Sequence, residues 1–432
     1  MSLAGDIVVS DVAAKVASAA RTSHGRILAY LAYKFGDIAA AEDALAEAFA
    51  AALKTWPTSG VPQSPEAWLM TAAKRNVLQA LRHSQVEHDP AATILLADEN
   101  TPAPGLPAFP DERLKLLFAC AHPAIDPSIH TALMLQTVLG IEADKIATAF
   151  LVSPSAMAQR LVRAKTKIRV SGIRFEEPEA RDLSERLQAV LEAIYAAFGL
   201  AWDDQMQHDL AEEAIYLADL VAALLPERAE SAGLLALLMF CDARRSARYT
   251  EGKNGKPQFV PLHAQDVALW NKPIIDQANR ILWHASGLRQ PGPFQLEAAI
   301  QSAHCQRLYT GSVPWQSIAH LYAQLLNLSP TVGALVGHAV ALGESQGASA
   351  ALAALSAIGL AYDLQAHAPY WAANAHWLAQ HGSTEEAISN YQTALKLHRG
   401  LPERAYLQSK IDALQNTQIG FIEHKQVIST EF

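Results

Sequence analysis

One segment, residues 141–174, constrains the fold of this chain more than any other. Four apolar residues repeat there at helical spacing and predict one buried stripe: Met157, Leu161, Ala164 and Ile168. Just before them stand Ser153 and Pro154. This pair is typical of a helix start, because the hydroxyl caps free N–H groups and proline has no N–H to leave unsatisfied. The segment therefore predicts two short helices joined by a tight turn, the second beginning at Pro154.

The second predicted helix is basic. From Gln159 to Arg174 the sequence has six Lys or Arg and no Asp or Glu. Its side chains outside the apolar stripe that we expect to face away from the core are Ser155, Gln159, Arg160, Arg163 and Lys167. A capped helix with one apolar and one basic face suits the major groove of DNA, where its cations also neutralise phosphates. A solvated basic helix in an ordinary α protein has the same pattern, and helix-turn-helix patterns have many false positives.

The whole chain reads as an all-α protein of several domains. Its 432 residues are too many for one ordinary core, and half of them are hydrophobic with few alternating β-branched runs. The three cysteines are widely spaced and form neither a CxxC pair nor a disulfide framework, which favours the cytoplasm. We find no signal-peptide pattern and no uncharged apolar stretch of about 18 residues, so we expect no membrane partner.

Composition shifts divide the chain into four parts. We predict a helical domain over residues 1–88, a proline-rich linker over 89–110, a second helical domain over 111–174 and an Ala- and Leu-rich helical extension over 175–432. The net charge of −9 is uneven, because residues 111–174 carry +4 while residues 175–432 carry −10. We also predict turns over residues 55–65 and a loop over residues 250–261.

The end of the extension has a repeat-like pattern. Aromatic, turn and small residues are spaced as in a tetratricopeptide repeat (TPR) at Trp371, Gly382, Ala387, Tyr391 and Ala394. A non-repeat α bundle with a repeat-like last hairpin is the alternative interpretation.

Several segments, in this order and spacing, resemble the extracytoplasmic function (ECF) sigma factors of bacterial RNA polymerase. They are AAAEDALAEAFAAALKTWP (39–57), PEAWLMTAAKRNVLQALR (65–82), DERLKLLFACAHPAI (111–125) and KIATAFLVSPSAMAQRLVRAKTKIR (145–169). The full chain resembles the subgroup with a long TPR-like C-terminal extension. This resemblance implies two small sigma domains, regions 2 and 4, followed by the extension.

The resemblance also implies roles for particular residues. The helix with Glu42, Asp43, Glu47 and Phe49 would bind the polymerase core. Lys74, Arg75 and Arg82, near Trp68 and Asn76, would hold the −10 element, although both Trp68 and Asn76 also suit structural roles. The exposed residues of the 154–170 helix would read the −35 element. The chain departs from the subgroup pattern at Ala46, Gln79 and Ala80, which puts the strength of promoter melting in question.

No persuasive catalytic or cofactor site is present. The sequence has no P-loop, GxSxG, HExxH or GxGxxG motif, so we expect no enzyme, metal or cofactor. We interpret Cys120 as a buried thiol beside a helix-ending His122. The group Asp242, Arg244 and Arg245 suits an internal hydrogen-bonding corner, with a small ligand or partner contact as the second interpretation.

The sequence thus predicts a non-enzymatic sigma factor that binds the RNA polymerase core and promoter DNA and initiates transcription. Its C-terminal extension would regulate it and hold an unidentified protein or ligand. Two other hypotheses stay open: a helix-turn-helix transcriptional regulator that never joins polymerase, and a TPR-like scaffold without DNA binding.

Overall fold

Helices dominate the computed structural model of this protein, as the sequence predicts. The structure describes residues 16, 23–85, 111–171, 180–203, 208–252, 255–398 and 400–430. The predicted linker, residues 89–110, therefore lies wholly outside the described residues. The chain divides into two compact units, Met1–Leu224 and Leu225–Phe432. Among the described residues, no helix is both long and apolar enough to span a membrane.

The first unit contains nine described helices, which we label in chain order. They are α1 (23–35), α2 (Ile38–Ser59), α3 (Pro65–Gln85), α4 (Glu112–Cys120), α5 (Pro127–Thr137), α6 (Ala143–Ala149), α7 (Pro154–Val170), α8 (Ala180–Asp203) and α9 (His208–Leu224). Helices α2 and α3 pack together, α6 packs on α7, and α8 packs on α4, α5 and α9.

Capping residues set several of these helix starts. The carboxylate of Asp37 accepts hydrogen bonds from the N–H groups of Ala39 and Ala40 at 2.9 and 3.1 Å, which caps α2. The hydroxyl of Ser153 accepts from the N–H of Ala156 at 3.3 Å, and Pro154 opens α7 as predicted. The local chemistry of the cap therefore fixes where these helices begin.

Helix α2 continues into residues 55–65, where the sequence predicts turns. It includes Pro57 and continues to Ser59 before Gly60 turns the chain with φ +81°. Trp56 is only 1% exposed, so burial of its indole holds the last turn of α2 in the helix. The hydroxyls of Thr58 and Ser59 both donate to the Thr55 carbonyl at 2.9 Å and satisfy the helix end.

The compact division falls after Leu224, within the predicted extension. Helices α8 and α9 pack in the first unit, and Arg186 of α8 donates to the carbonyl of Phe118 in α4 at 3.2 Å. The boundary that we predict at residue 174 rests on sequence composition. Whether it separates two domains stays a prediction.

The second unit is a succession of helices with one short hairpin. Its described α-helices and strands are α10 (Ala229–Asp242), β1 (Tyr249–Glu251), β2 (Pro257–Phe259), α11 (Lys272–Gly287), α12 (Pro293–Cys305), α13 (Arg307–Thr310), α14 (Trp315–Leu328), α15 (Val332–Gln346), α16 (Ala348–Ala361), α17 (Ala368–His381), α18 (Thr384–Leu397) and α19 (Leu401–Thr430). The antiparallel pair β1–β2 pairs Tyr249 with Phe259, so part of the predicted loop at 250–261 is a hairpin.

From α14 onward, each helix packs on the next one along the chain. Helices α17 and α18 form a hairpin whose turn is Gly382, with φ +94°. Ala387 and Ala394 are fully buried, and small residues at these positions let the two helices approach closely. This geometry agrees with a repeat-like hairpin, while membership in the TPR class stays a prediction.

Candidate nucleic-acid and polymerase interface

Helix α7 presents its predicted DNA-facing residues to solvent. Met157, Leu161, Ala164 and Ile168 are the buried residues of the helix, and they form the predicted stripe. All five predicted DNA-contacting residues are exposed: Ser155, Gln159, Arg160, Arg163 and Lys167. The turn before α7 is tight, since Leu151 has φ +54°. Leu151 itself is 84% exposed. Helix α7 therefore has one buried face and one accessible basic face.

One cation of α7 is engaged by an acidic residue of α2. The Nζ atom of Lys165 lies 2.6 Å from both carboxylate oxygens of Glu42. The side chains of Lys165 and Glu42 are 11% and 25% exposed, so the pair is largely withdrawn from water. Burial raises the pKa of Glu42, and the ammonium of Lys165 opposes that shift. Glu42 thus neutralises part of the positive charge of α7, which the sequence of α7 alone did not indicate.

The other residues predicted to bind polymerase are differently placed on α2. Asp43 and Glu47 are exposed, whereas Phe49 is half-buried and stacks on the ring of His24 with centroids 6.5 Å apart. On the same helix Leu53 is 49% exposed. The buried residues of α2 are Ile38, Ala41, Ala44, Leu45, Ala48, Ala52 and Trp56, four of them alanines.

Helix α3 holds the residues that the resemblance assigns to the −10 element. Arg75 is exposed, and Lys74 is half-buried with its Nζ 5.7 Å from the centroid of the Tyr30 ring. Arg82 lies in the last turns of α3, but its side chain is outside the described residues. Two of the three predicted cations are thus described on the helix that should meet single-stranded DNA.

The structural interpretation of Asn76 and Trp68 agrees with the packing. The Nδ2 group of Asn76 donates to the carbonyl of Ala44 at 3.1 Å and joins α3 to α2. Trp68 is half-buried and packs against Trp56, with centroids 5.5 Å apart and rings inclined by 71°. Both side chains therefore help to hold α2 and α3 in their relative orientation.

A second contact joins the two predicted sigma domains near the end of α5. A Cβ atom on Gly25 of α1 would come within 2.1 Å of the Val138 carbonyl oxygen, so only glycine fits this approach. Gly140, with φ +64°, lies against the ring of His24. Burial lowers the pKa of His24, and Lys165 lowers it further. The predicted regions 2 and 4 are thus in direct contact.

Sequence reasoning also missed a buried arginine, Arg113 of α4. It is 2% exposed and binds Asp111 at 2.7 Å, and its guanidinium also contacts the carboxylate of Glu213 and the ring of Tyr216 in α9. From the sequence alone, Arg113 looks like an ordinary solvent-exposed cation near a helix start. The carboxylate that completes the site lies 100 residues away, so no local pattern could indicate it.

Cys120 and His122 take structural positions. The Sγ of Cys120 lies 3.5 Å from the hydroxyl of Thr137, and burial raises the pKa of the thiol to about 12. The Nδ1 atom of His122 accepts from the N–H of Ala124 at 3.1 Å. The thiol is therefore protonated at neutral pH, and it has the environment of an inert buried cysteine.

Asp242, Arg244 and Arg245 form an internal corner in the second unit. Arg244 is 5% exposed and donates from Nε to the carbonyl of Phe240 at 3.1 Å and from Nη2 to the side chain of Gln301. The Nε of Arg245 binds the carboxylate of Asp242 at 2.8 Å. These contacts support the first interpretation, a hydrogen-bonding corner.

Comparison with known proteins agrees with the N-terminal interpretation. Residues 20–86 match the model of Sigma-70 region 2, and these residues include the described part of α1 with α2 and α3. Residues 186–286 match a Family of unknown function (DUF6596). The chain is also 35% identical over 408 residues to Uncharacterized protein R00370 of Rhizobium meliloti (strain 1021), covering 92% of this chain and 94% of that protein.

The region 2 match places the helices with Glu42 and Lys74 in a Sigma-70 region 2, which supports a sigma-factor-like role in transcription initiation. The similarity to the Rhizobium protein extends over nearly the full length of both chains. The chain therefore belongs to the same family as the Rhizobium meliloti protein, and it carries a sigma-70 region 2 at its N-terminal end.

Proposed function

We propose that this protein is a non-enzymatic sigma factor of the ECF type, and that its structure shows a closed state. In this proposal α2 binds the polymerase core, α3 holds the −10 element and α7 reads the −35 element. The residues that carry these roles are those named from the sequence: Glu42, Asp43, Glu47 and Phe49 for polymerase, Lys74, Arg75 and Arg82 for the −10 element, and Ser155, Gln159, Arg160, Arg163 and Lys167 for the −35 element.

The observation that carries the proposal is the exposed basic face of α7 on a chain with a sigma-70 region 2. Arginine donates in a planar fork that suits guanine edges and phosphates, and Arg160 and Arg163 are both exposed. No carboxylate stands among the residues from 154 to 171 to repel DNA phosphates. The helix therefore has the shape and charge of a major-groove reader.

The closed state follows from the contact between Glu42 and Lys165. The −10 and −35 elements are about 25 base pairs apart, or roughly 85 Å at about 3.4 Å per pair. Helices α2 and α7 touch, so regions 2 and 4 cannot reach both elements at once in this arrangement. Transcription initiation therefore requires the two regions to separate, and Glu42 to exchange Lys165 for polymerase.

We propose that the C-terminal extension stabilises this closed state. Its first helices, α8 and α9, pack on α4 and α5 behind the helix-turn-helix and leave the basic face of α7 exposed. The extension from residue 175 carries −10 against +4 for residues 111–174. Control by an extension in the same chain would act on the separation of regions 2 and 4 rather than by covering the DNA-reading face.

Run-off transcription tests the proposed function. Bacterial core polymerase, this protein and a DNA fragment with the upstream region of its own gene should give a discrete start that depends on the protein. Arg163→Ala should weaken promoter binding by about 1–3 kcal/mol, the range for one lost base contact. Arg169→Ala is the matched control, because Arg169 is exposed on the last turn of α7 outside the predicted reading set.

Three other results would count against the proposal. Sequence-specific DNA binding without any start would support a helix-turn-helix regulator that does not join polymerase. Absence of both DNA binding and transcription would support a TPR-like scaffold. Equal losses for Arg163→Ala and Arg169→Ala would show a general charge effect and not base reading by α7.

A further inference from the structure

The second unit contains a cavity of about 380 Å³ that the proposed function does not use. Helices α12 to α15 and α17 to α19 contribute residues to its walls, together with the segment 262–270. Small-molecule sites in proteins have volumes of about 300–1,000 Å³, so this cavity has room for one compact organic molecule.

Aromatic side chains are the commonest residues of the cavity lining. Six of them are Trp270, Trp315, Tyr322, Trp377, Tyr391 and Tyr406. Glycine makes room for one of these rings, because a Cβ on Gly337 of α15 would lie 2.5 Å from the ring of Tyr322. Aromatic rings pack well on other rings, by offset stacking or by edge contacts, so this lining favours an aromatic ligand.

Arg307 brings a positive charge to the same lining. It is half-buried, and its guanidinium donates to the carbonyls of Leu262 and His263 at 3.2 and 2.7 Å and also to that of Gln265. Carbonyl groups are neutral, so these hydrogen bonds satisfy N–H groups but leave the whole charge in place. No carboxylate of the described residues forms an ion pair with Arg307.

Two further cations lie against rings of the cavity. The guanidinium of Arg244 is 5.8 Å from the centroid of the Trp270 ring, and that of Arg307 is 5.2 Å from the same centroid. The Nζ atom of Lys410 is 5.3 Å from the centroid of the Tyr406 ring. Neither Arg244 nor Lys410 forms an ion pair with a carboxylate of the described residues. Three cations without an acidic partner therefore lie at the cavity walls.

The histidines of the lining are exposed to the field of these cations. Burial is the main cause that lowers the pKa of His304 to about 4, and Arg244 and Arg307 lower it further. Burial also lowers the pKa of His263, with smaller effects of Lys410 and Arg307. Both imidazoles are neutral at pH 7, so they add no charge of their own. The cations that oppose their protonation would attract an anion in the cavity.

One carboxylate among the lining residues opposes this attraction. It belongs to Glu344 of α15, which is an exposed residue. Water and salt screen an exposed charge much more than a half-buried or buried one. The half-buried Arg307 and the buried Arg244 therefore outweigh Glu344 in the field that acts on a bound molecule.

We infer that this cavity binds a compact aromatic carboxylate, with its ring among the aromatic side chains and its carboxylate group near Arg307. The planar guanidinium of arginine suits a carboxylate better than it suits a neutral group. The inference does not depend on sigma-factor activity, because it concerns only binding in the second unit.

The test compares two probes of nearly the same shape on the full chain. They are 2-naphthoate, which carries a carboxylate, and 2-naphthamide, which carries a neutral carboxamide in its place. Isothermal titration calorimetry at pH 7.5 should show about tenfold tighter binding of the naphthoate, the effect of one charge-assisted contact. This comparison uses the wild type, so it tests the charge preference even if a variant does not fold.

Variants of Arg307 locate the source of the preference. Arg307→Gln keeps N–H groups for the neighbouring carbonyls but removes the charge, so naphthoate should bind only as tightly as naphthamide. The affinity for naphthamide should stay at the wild-type value, which shows that the cavity is intact. Arg307→Lys keeps the charge and should keep most of the preference. Arg280→Gln is the matched control, because Arg280 is exposed on α11 outside the lining, and it should change neither affinity.

A third change tests whether the probes occupy this cavity. Ala373 is one of the small residues of the lining, and Ala373→Leu places a larger side chain there. This variant should lose binding of both probes, because the added carbon atoms take the space of the ring. Circular dichroism should show that it stays folded.

The inference is wrong if neither probe binds at millimolar concentration, or if the wild type binds naphthamide as tightly as naphthoate. It is equally wrong if Arg307→Gln and Arg280→Gln change naphthoate binding alike, or if folded Ala373→Leu binds both probes as the wild type does. Each of these results is a binding measurement, so a failure of the proposed transcriptional function would not produce it.

Discussion

At the residue scale, the contact between Glu42 and Lys165 joins α2 and α7, the helices that we propose to bind polymerase and to read DNA. A pair that is mostly withdrawn from water contributes little net stability when intact. Removing one partner is costly, because the other charge is left buried without compensation. The pair therefore acts as a specific link between α2 and α7, and a ligand that takes either partner also loosens the other.

We predict that Lys165→Met destabilises the protein by about 1–3 kcal/mol, because Glu42 keeps its charge without its partner. Urea unfolding followed by circular dichroism measures this loss. The double variant Glu42→Gln with Lys165→Met should recover most of it, since neither charge remains buried. Lys54→Met, on the exposed side of α2, is the control and should be nearly neutral. A double variant no more stable than the single one would rule out the charge argument.

His24 makes the same interface sensitive to pH. Its pKa is held below the ordinary value of 6.5 by burial and by Lys165, so the contact favours neutral imidazole. A depressed pKa means that stability is present above pH 6.5 and is lost as pH falls below it.

We therefore expect the thermal midpoint of unfolding to be lower at pH 5.5 than at pH 7.5. This decrease should be smaller in His24→Gln than in the wild type. Differential scanning calorimetry of the two proteins measures both decreases. Glu42 titrates in both proteins, so it does not cause a difference between them. Identical slopes for the two proteins would exclude His24 as the source.

At the element scale, helix starts and faces follow from local sequence while contacts between helices do not. The cap at Ser153, the first turn at Pro154 and the buried face of α7 are all readable from residues a few positions apart. The buried face of α2 is harder to predict, because four of its seven buried residues are alanines, which make a weak apolar pattern in the sequence. A one-residue shift around a helix changes which side chains are exposed, and only the neighbouring helix decides it.

Gly25 gives an element-scale prediction. Gly25→Ala places a Cβ against the Val138 carbonyl, which is backbone and cannot turn aside, so α1 and the end of α5 must separate. We expect this variant to bind core polymerase more tightly, by about 1 kcal/mol or more, as Glu42 is freed. Fluorescence anisotropy with labelled protein measures that affinity.

Gly199→Ala is the matched control for Gly25→Ala. Gly199 is near the C-terminal end of α8, and nothing is within 4 Å of the position a Cβ would take. We expect this change to leave polymerase affinity unchanged and to stabilise the helix slightly. Weaker polymerase binding by Gly25→Ala than by Gly199→Ala would contradict a closed state that competes with polymerase.

At the scale of the whole molecule, the sequence was sufficient for the all-α fold and for the sigma-70 region 2 at residues 20–86. It could not give the closed contact, since Glu42 and Lys165 are 123 positions apart and either one alone looks like a solvated charge. Long-range pairing depends on tertiary packing, which periodicity and capping do not encode.

The measurement that tests the closed state most directly is the distance between regions 2 and 4. Spin labels at exposed Gln79 of α3 and exposed Thr166 of α7 report it by double electron–electron resonance. We predict a short, narrow distance for the free protein, and a distance longer by tens of ångströms once core polymerase and promoter DNA are added. The same short distance in a complex that starts transcription would contradict the account.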